Sequence, residues 1–138
     1  MVKITGQKAH AARLKRIRGP AMAREVGKAV VVAADLIKVD AQISITEGAV
    51  SGKNHAPSAP GLPPNQDTGH LASNITAERT GLTTAEVSSN AEYSAPLEFG
   101  TSKMSARPFM QPAADKNRKK ATALVMAAVK RVANGGTL

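Results

Sequence analysis

A chain of 138 residues holds one domain around one hydrophobic core, and the absence of cysteine excludes disulfides and thiolate metal sites. No run of about twenty apolar residues is present to span a bilayer, and the first twenty residues are basic without a signal peptide's apolar segment. The expected setting is therefore a cytoplasm, or a particle assembled in one. The net charge of +9 is uneven: residues 1–20 hold six bases and no acid, 21–100 five bases against nine acids, and 101–138 eight bases against one acid.

Residues 3–18 read as a basic helical arm whose thin apolar stripe, Leu14 and Ile17, suits ordering on a partner. Gly19-Pro20 breaks the pattern, and proline fits the first turn of a new helix. Over 20–47 a long helix follows, with Met22, Val26, Val30, Ala33, Ile37 and Ala41 at spacings of three or four. A second apolar row runs through Val32, Leu36, Val39 and Ile43. A helix apolar on two faces wants two partners. Its own sheet is one; a neighbouring subunit and deeper burial in the same subunit are the two readings for the other. Residues 48–67 are a Pro/Gly-rich loop, expected to order against a neighbouring chain.

Asp67-Thr68 resembles a helix cap, opening a short helix around His70–Asn74. An antiparallel meander is expected next: strands over 75–80, 83–89 and 92–99, turning at Gly81-Leu82 and Asn90-Ala91. Pro96 makes the third an edge or bulged strand. A loop over 100–111 leads to a last helix over 112–133, apolar through Ala121, Leu124, Val125, Ala128 and Val132 and stopped at Gly135-Gly136. This gives an α+β fold, with a small antiparallel sheet of three to four strands packed by a long helix and a C-terminal helix. The division is an arm at 1–19 and a single domain at 20–138. Aromatics are limited to Tyr93, Phe99 and Phe109, so the core must come mainly from Ala, Val, Leu, Ile and Met.

His10, His55 and His70 lack metal-ligand spacing, no phosphate-binding glycine loop opens a helix, and Glu92 and Glu98 have no nucleophile or histidine beside them. No enzyme, metal or cofactor is expected. The cationic ends leave two readings open: contact with nucleic acid or acidic protein, or a solvated surface. Arg13, Lys15, Arg16 and Arg18 are the candidate contacts to an anionic partner.

Two stretches carry more specific information. One is Ala59-Pro60-Gly61-Leu62-Pro63-Pro64, then Asp67-Thr68-Gly69-His70-Leu71 and Ser73-Asn74-Ile75. The other runs from Tyr93 through Ala95-Pro96-Leu97-Glu98-Phe99-Gly100-Thr101 to Lys103-Met104, Ala106-Arg107-Pro108-Phe109 and Pro112-Ala113. In this order and spacing they resemble the small tail-completion or head–tail joining proteins of long-tailed bacteriophages, over about residues 20–133, with the basic arm outside the pattern. The resemblance implies an α+β subunit at the head-proximal end of the tail, in the virion neck. Its expected partners are further copies in a ring, with six-fold favoured and twelve-fold the alternative, other connector and tail proteins, passing packaged DNA, and no membrane. A tail terminator, a stopper and a basic nucleic-acid-binding protein are the competing readings.

Read as a strand, the second stretch puts Tyr93, Leu97 and Phe99 on one face and Glu92 and Glu98 on the other. Gly100 permits a sharp exit, and Pro108 and Phe109 pin the loop to the last helix. Two readings stand for this corner, local folding chemistry or a subunit contact, and in either Glu98 is expected to pair with Arg107 or Lys103, within or between subunits.

Overall fold

The computed structural model describes residues 5–47, 57–58, 60–64 and 69–135. Helix α1 (Gln7–Arg18) meets α2 (Pro20–Thr46) at Gly19, with Pro20 in the first turn of α2, where its missing N–H costs nothing. A short helix α3 (His70–Ser73) leads into β1 (Ile75–Arg79) and β2 (Ala85–Ser89). Helix α4 (Ser94–Phe99) and the long α5 (Met110–Ala133) complete the chain.

The strands pair antiparallel in the register Ile75↔Ser89 to Arg79↔Ala85, across the turn expected at Gly81-Leu82. The Arg79 guanidinium holds that turn by donating to the carbonyls of Gly81 and Leu82 at 3.0 and 2.7 Å. Among the described residues the sheet has these two strands, short of the three to four expected.

The third strand is a correction: residues 94–99 form α4. Pro96 falls in the first turn of this helix, where no intrahelical donor is required, so the feature that marked an edge strand suits a helix start equally well. Gly100, at φ +76°, ends it, and a Cβ there would press on the backbone of Met104 and Ala106. The shared strand face of Tyr93, Leu97 and Phe99 goes with the strand. Leu97 packs on the core, whereas Tyr93 and Phe99 are exposed.

Helix α2 is the spine. One side packs on β1, β2 and α3, and an adjacent side lies antiparallel to α5. The main core joins Ala41 and Ile45 to Leu71, Ile75, Ala91, Phe109 and Ala113. A second buried layer, Ala29, Ala33, Ala34, Ala128, Val132 and Ala133, is mostly alanine, and each alanine contributes little apolar area. Two polar contacts bracket the α2–α5 seam. Asn117, fully buried, donates to Asp40 at 2.6 Å and to the Ala113 carbonyl at 2.9 Å. Glu25, also buried, lies 3.0 Å from Lys28 and 3.7 Å from Arg131. With a partner at each end, a slip of one helical turn along this seam breaks both contacts.

Helix α1 forms within the chain itself and packs on α5 and α2. Its anchor is Arg16, which donates from Nε and Nη2 to the Ala133 carbonyl at 3.2 and 2.8 Å, capping the C-terminus of α5.

Candidate assembly surface

The corner between α4 and α5 is built around Glu98. Its carboxylate accepts from the backbone N–H groups of Phe109, Met110 and Gln111 at 2.8, 3.0 and 2.8 Å. The first residues of α5 offer no side-chain cap of their own, so α4 supplies one, and its negative charge sits at the positive end of the helix dipole. Within the subunit Glu98 is thus a cap and is not paired with Arg107 or Lys103. Arg107 instead donates from Nε to the Ser58 carbonyl at 3.2 Å and from its backbone to the Leu97 carbonyl. Thr101 bridges to Met104, Pro108 is half-buried, Phe109 is buried in the core, and Pro112 is exposed in the first turn of α5.

The first motif also serves the fold. Gly61 donates to the Ala106 carbonyl at 2.9 Å, tying the two motifs together. Pro60 is exposed, Pro63 half-buried and Pro64 buried. Gly69 precedes α3, and Leu71 is a core residue. Asp67 and Thr68, like most of the 48–67 loop and His55, lie outside the described residues. His70 is exposed and rests against Tyr93, ring centroids 5.8 Å apart, while His10 is exposed on α1. Among the described residues no group of three or more His, Asp or Glu gathers as a metal site, and no helix is long and apolar enough to cross a membrane.

What the fold leaves over is apolar surface. On α2, the second row stays outside the subunit: Val32, Val39 and Ile43 are each 46% exposed. Leu36 sits between them at the mouth of a groove shared with Leu124 and Ala127 of α5. Phe99 is 82% exposed, at the rim of an open groove of about 570 Å³ between α2, β2, α4 and the start of α5. Leu82, at the hairpin tip, is 69% exposed. The sequence marks this last residue only as part of a turn and not as a contact surface. A lone leucine in a turn carries no periodic signal.

Exposed apolar side chains grouped on a small subunit mark a surface for contact with another molecule. A family model described as "Bacteriophage HK97-gp10, putative tail-component" matches residues 8–100. The chain belongs to that family. It is a phage tail-related structural component. No curated protein and no solved structure matches it significantly. The match to the tail-component family takes in α1 through α4 and stops at Gly100. The arm beyond Lys8 therefore lies inside the family pattern, contrary to the expectation that it stood outside, and Arg107, Phe109 and Pro112 lie beyond the match.

The four candidate cations of the arm divide. Arg16 is consumed by the α5 cap, whereas Arg13, Lys15 and Arg18 are exposed and have no partner among the described residues.

Proposed function

We propose that this tail component is a non-enzymatic subunit of the phage neck, completing the tail and joining it to the head as a ring. The observation that carries the reading is the outer row of α2, in which Val32, Val39 and Ile43 are half-exposed on the longest and most central helix. Burying the remaining half of each side chain is worth about 1 kcal/mol. Three such residues per copy fall short of the cost of bringing two free molecules together, about 4 kcal/mol or more. Through this row alone the subunit associates only weakly in solution, and a template, the end of the tail tube or the portal, strengthens assembly by holding its copies side by side.

The test is a map of the assembled particle neck. Six copies of this chain in a ring are expected if it matches the tail tube, and twelve if it matches the portal. A neck without a ring of this chain ends the reading. Binding through phosphates is the competing mode, favoured by the exposed cations of α1, and raised salt separates the two. Phosphate-driven binding collapses with salt, whereas contacts through the α2 row persist.

A further inference from the structure

Helix α1 presents a face that is apolar and cationic at once. At about 100° per residue, Arg13, Ile17, Leu14 and Arg18 follow one another around it. Leu14 and Ile17 are 42% and 38% exposed, and the helix carries no acid.

The complementary chemistry lies on the hairpin. The β1–β2 register sets Glu78 directly opposite Glu86, both exposed. Ala77 and Val87, next to them in the ladder, pair with each other, and Val87 packs on the core, so the two carboxylates point to the outer face of the sheet. Like charges directly opposite destabilise an antiparallel pair, and neither carboxylate has an ion-pair partner among the described residues. Beyond them, at the tip, stands the exposed Leu82.

We propose that α1 of one copy docks on the outer face and tip of the β1–β2 hairpin of the next copy, Arg13 and Arg18 facing Glu78 and Glu86, Leu14 and Ile17 covering Leu82. Each surface matches the other in both charge and hydropathy. The two surfaces differ and belong to separate parts of one chain, so the contact is head-to-tail, and its repetition gives a closed ring where the rotation closes. This rests on the ring reading above and adds to it the contact that links the copies. Duplex DNA would satisfy the cations but leave Leu14, Ile17, Leu82 and the glutamate pair uncovered, which is why a second copy is the better fit.

The chain has no cysteine, so engineered thiols report a single contact. In the variant His10→Cys/Thr83→Cys, one thiol lies on the α1 face and one at the hairpin tip. A short bismaleimide is expected to join copies into a ladder on a denaturing gel, about tenfold faster than in the control His10→Cys/Thr122→Cys. Adding Glu78→Lys/Glu86→Lys should slow the ladder about tenfold, and adding Arg13→Glu/Arg18→Glu as well should restore it. The milder Glu78→Gln/Glu86→Gln should slow the ladder while raising the Tm of the free chain. A purely structural role for the glutamate pair does not combine those two effects. A ladder no faster than the control, or indifferent to both reversals, overturns the proposal. Light scattering on the same samples keeps the readings apart. Self-association without the ladder overturns this contact and leaves the ring. Neither association nor ladder also overturns the contact, and the neck map then decides the ring. Duplex DNA binding that is lost in Arg13→Glu/Arg18→Glu, without a ladder, assigns the arm to nucleic acid and likewise overturns the proposal.

Discussion

Removing the Glu98 carboxylate exposes how the α4–α5 corner is held. In Glu98→Ala the N–H groups of Phe109, Met110 and Gln111 lose their common acceptor. A hydrogen bond to a charged group contributes about 1.5–3 kcal/mol, but these three share one carboxylate, and the freed donors at a half-buried helix end regain water. Loss of a helix cap costs about 0.5–2 kcal/mol, and loss of a charge at the helix dipole about 0.3–1 kcal/mol. The expected destabilisation is therefore about 2 kcal/mol. With a urea m-value of about 1.5 kcal/mol/M, the unfolding midpoint followed by far-UV circular dichroism falls by about 1.3 M. Glu98→Gln keeps one acceptor oxygen but turns an amide donor toward other donors, and should lose about 1 kcal/mol. Lys103→Gln should change stability by less than about 0.5 kcal/mol, since Glu98 works as a cap and not as an ion-pair partner. A midpoint for Glu98→Ala within about 0.3 M of the parent refutes the cap. A loss in Lys103→Gln equal to that in Glu98→Ala refutes it in favour of the ion pair.

Phe109→Ala, which empties the site of the single buried aromatic, should cost about 3–5 kcal/mol and leave little folded protein, whereas Phe99→Ser should shift the urea midpoint negligibly and lower incorporation into particles. Gly27→Ala places a Cβ against the Leu82 carbonyl and the Arg79 guanidinium, so the clash should outweigh the gain in helix propensity and destabilise by about 1–3 kcal/mol, readable as a lower Tm. Arg16→Ala removes both bonds to the Ala133 carbonyl. Amide exchange should quicken in α1 and the last turn of α5 and stay unchanged at the α2–α3 core. Replacing Val32, Val39 and Ile43 together by serine removes the half of each side chain already buried in the subunit, about 1 kcal/mol apiece, so the isolated chain should fold with a lowered Tm, while particles fail to incorporate it even at a temperature where it is fully folded.

Much of the fold is legible in the residues because it is set locally. Pro20 after Gly19 opens α2, the two apolar rows of α2 follow from helical spacing, and the pairing of 75–79 with 85–89 follows from alternation around Gly81-Leu82. The exposed outer row, Val32, Val39 and Ile43, is the part of the candidate surface that periodicity already marks. The stretch over 92–99 is different. Tyr93, Ala95, Leu97 and Phe99 alternate as a strand would, and over six or seven residues a period of two is not separable from one of 3.6. Tertiary contacts decide it: Leu97 turns into the core and Glu98 reaches the free N–H groups of α5, eleven to thirteen residues on. The arm shows the same division. Arg13, Lys15, Arg16 and Arg18 are equivalent cations in the sequence, and only the packing of α1 against the end of α5 binds Arg16 to a helix carbonyl and leaves the other three facing outward. A local pattern records which side chains prefer to be buried. Which donor meets which acceptor depends on where distant segments come to rest, and no short window of sequence contains that distance.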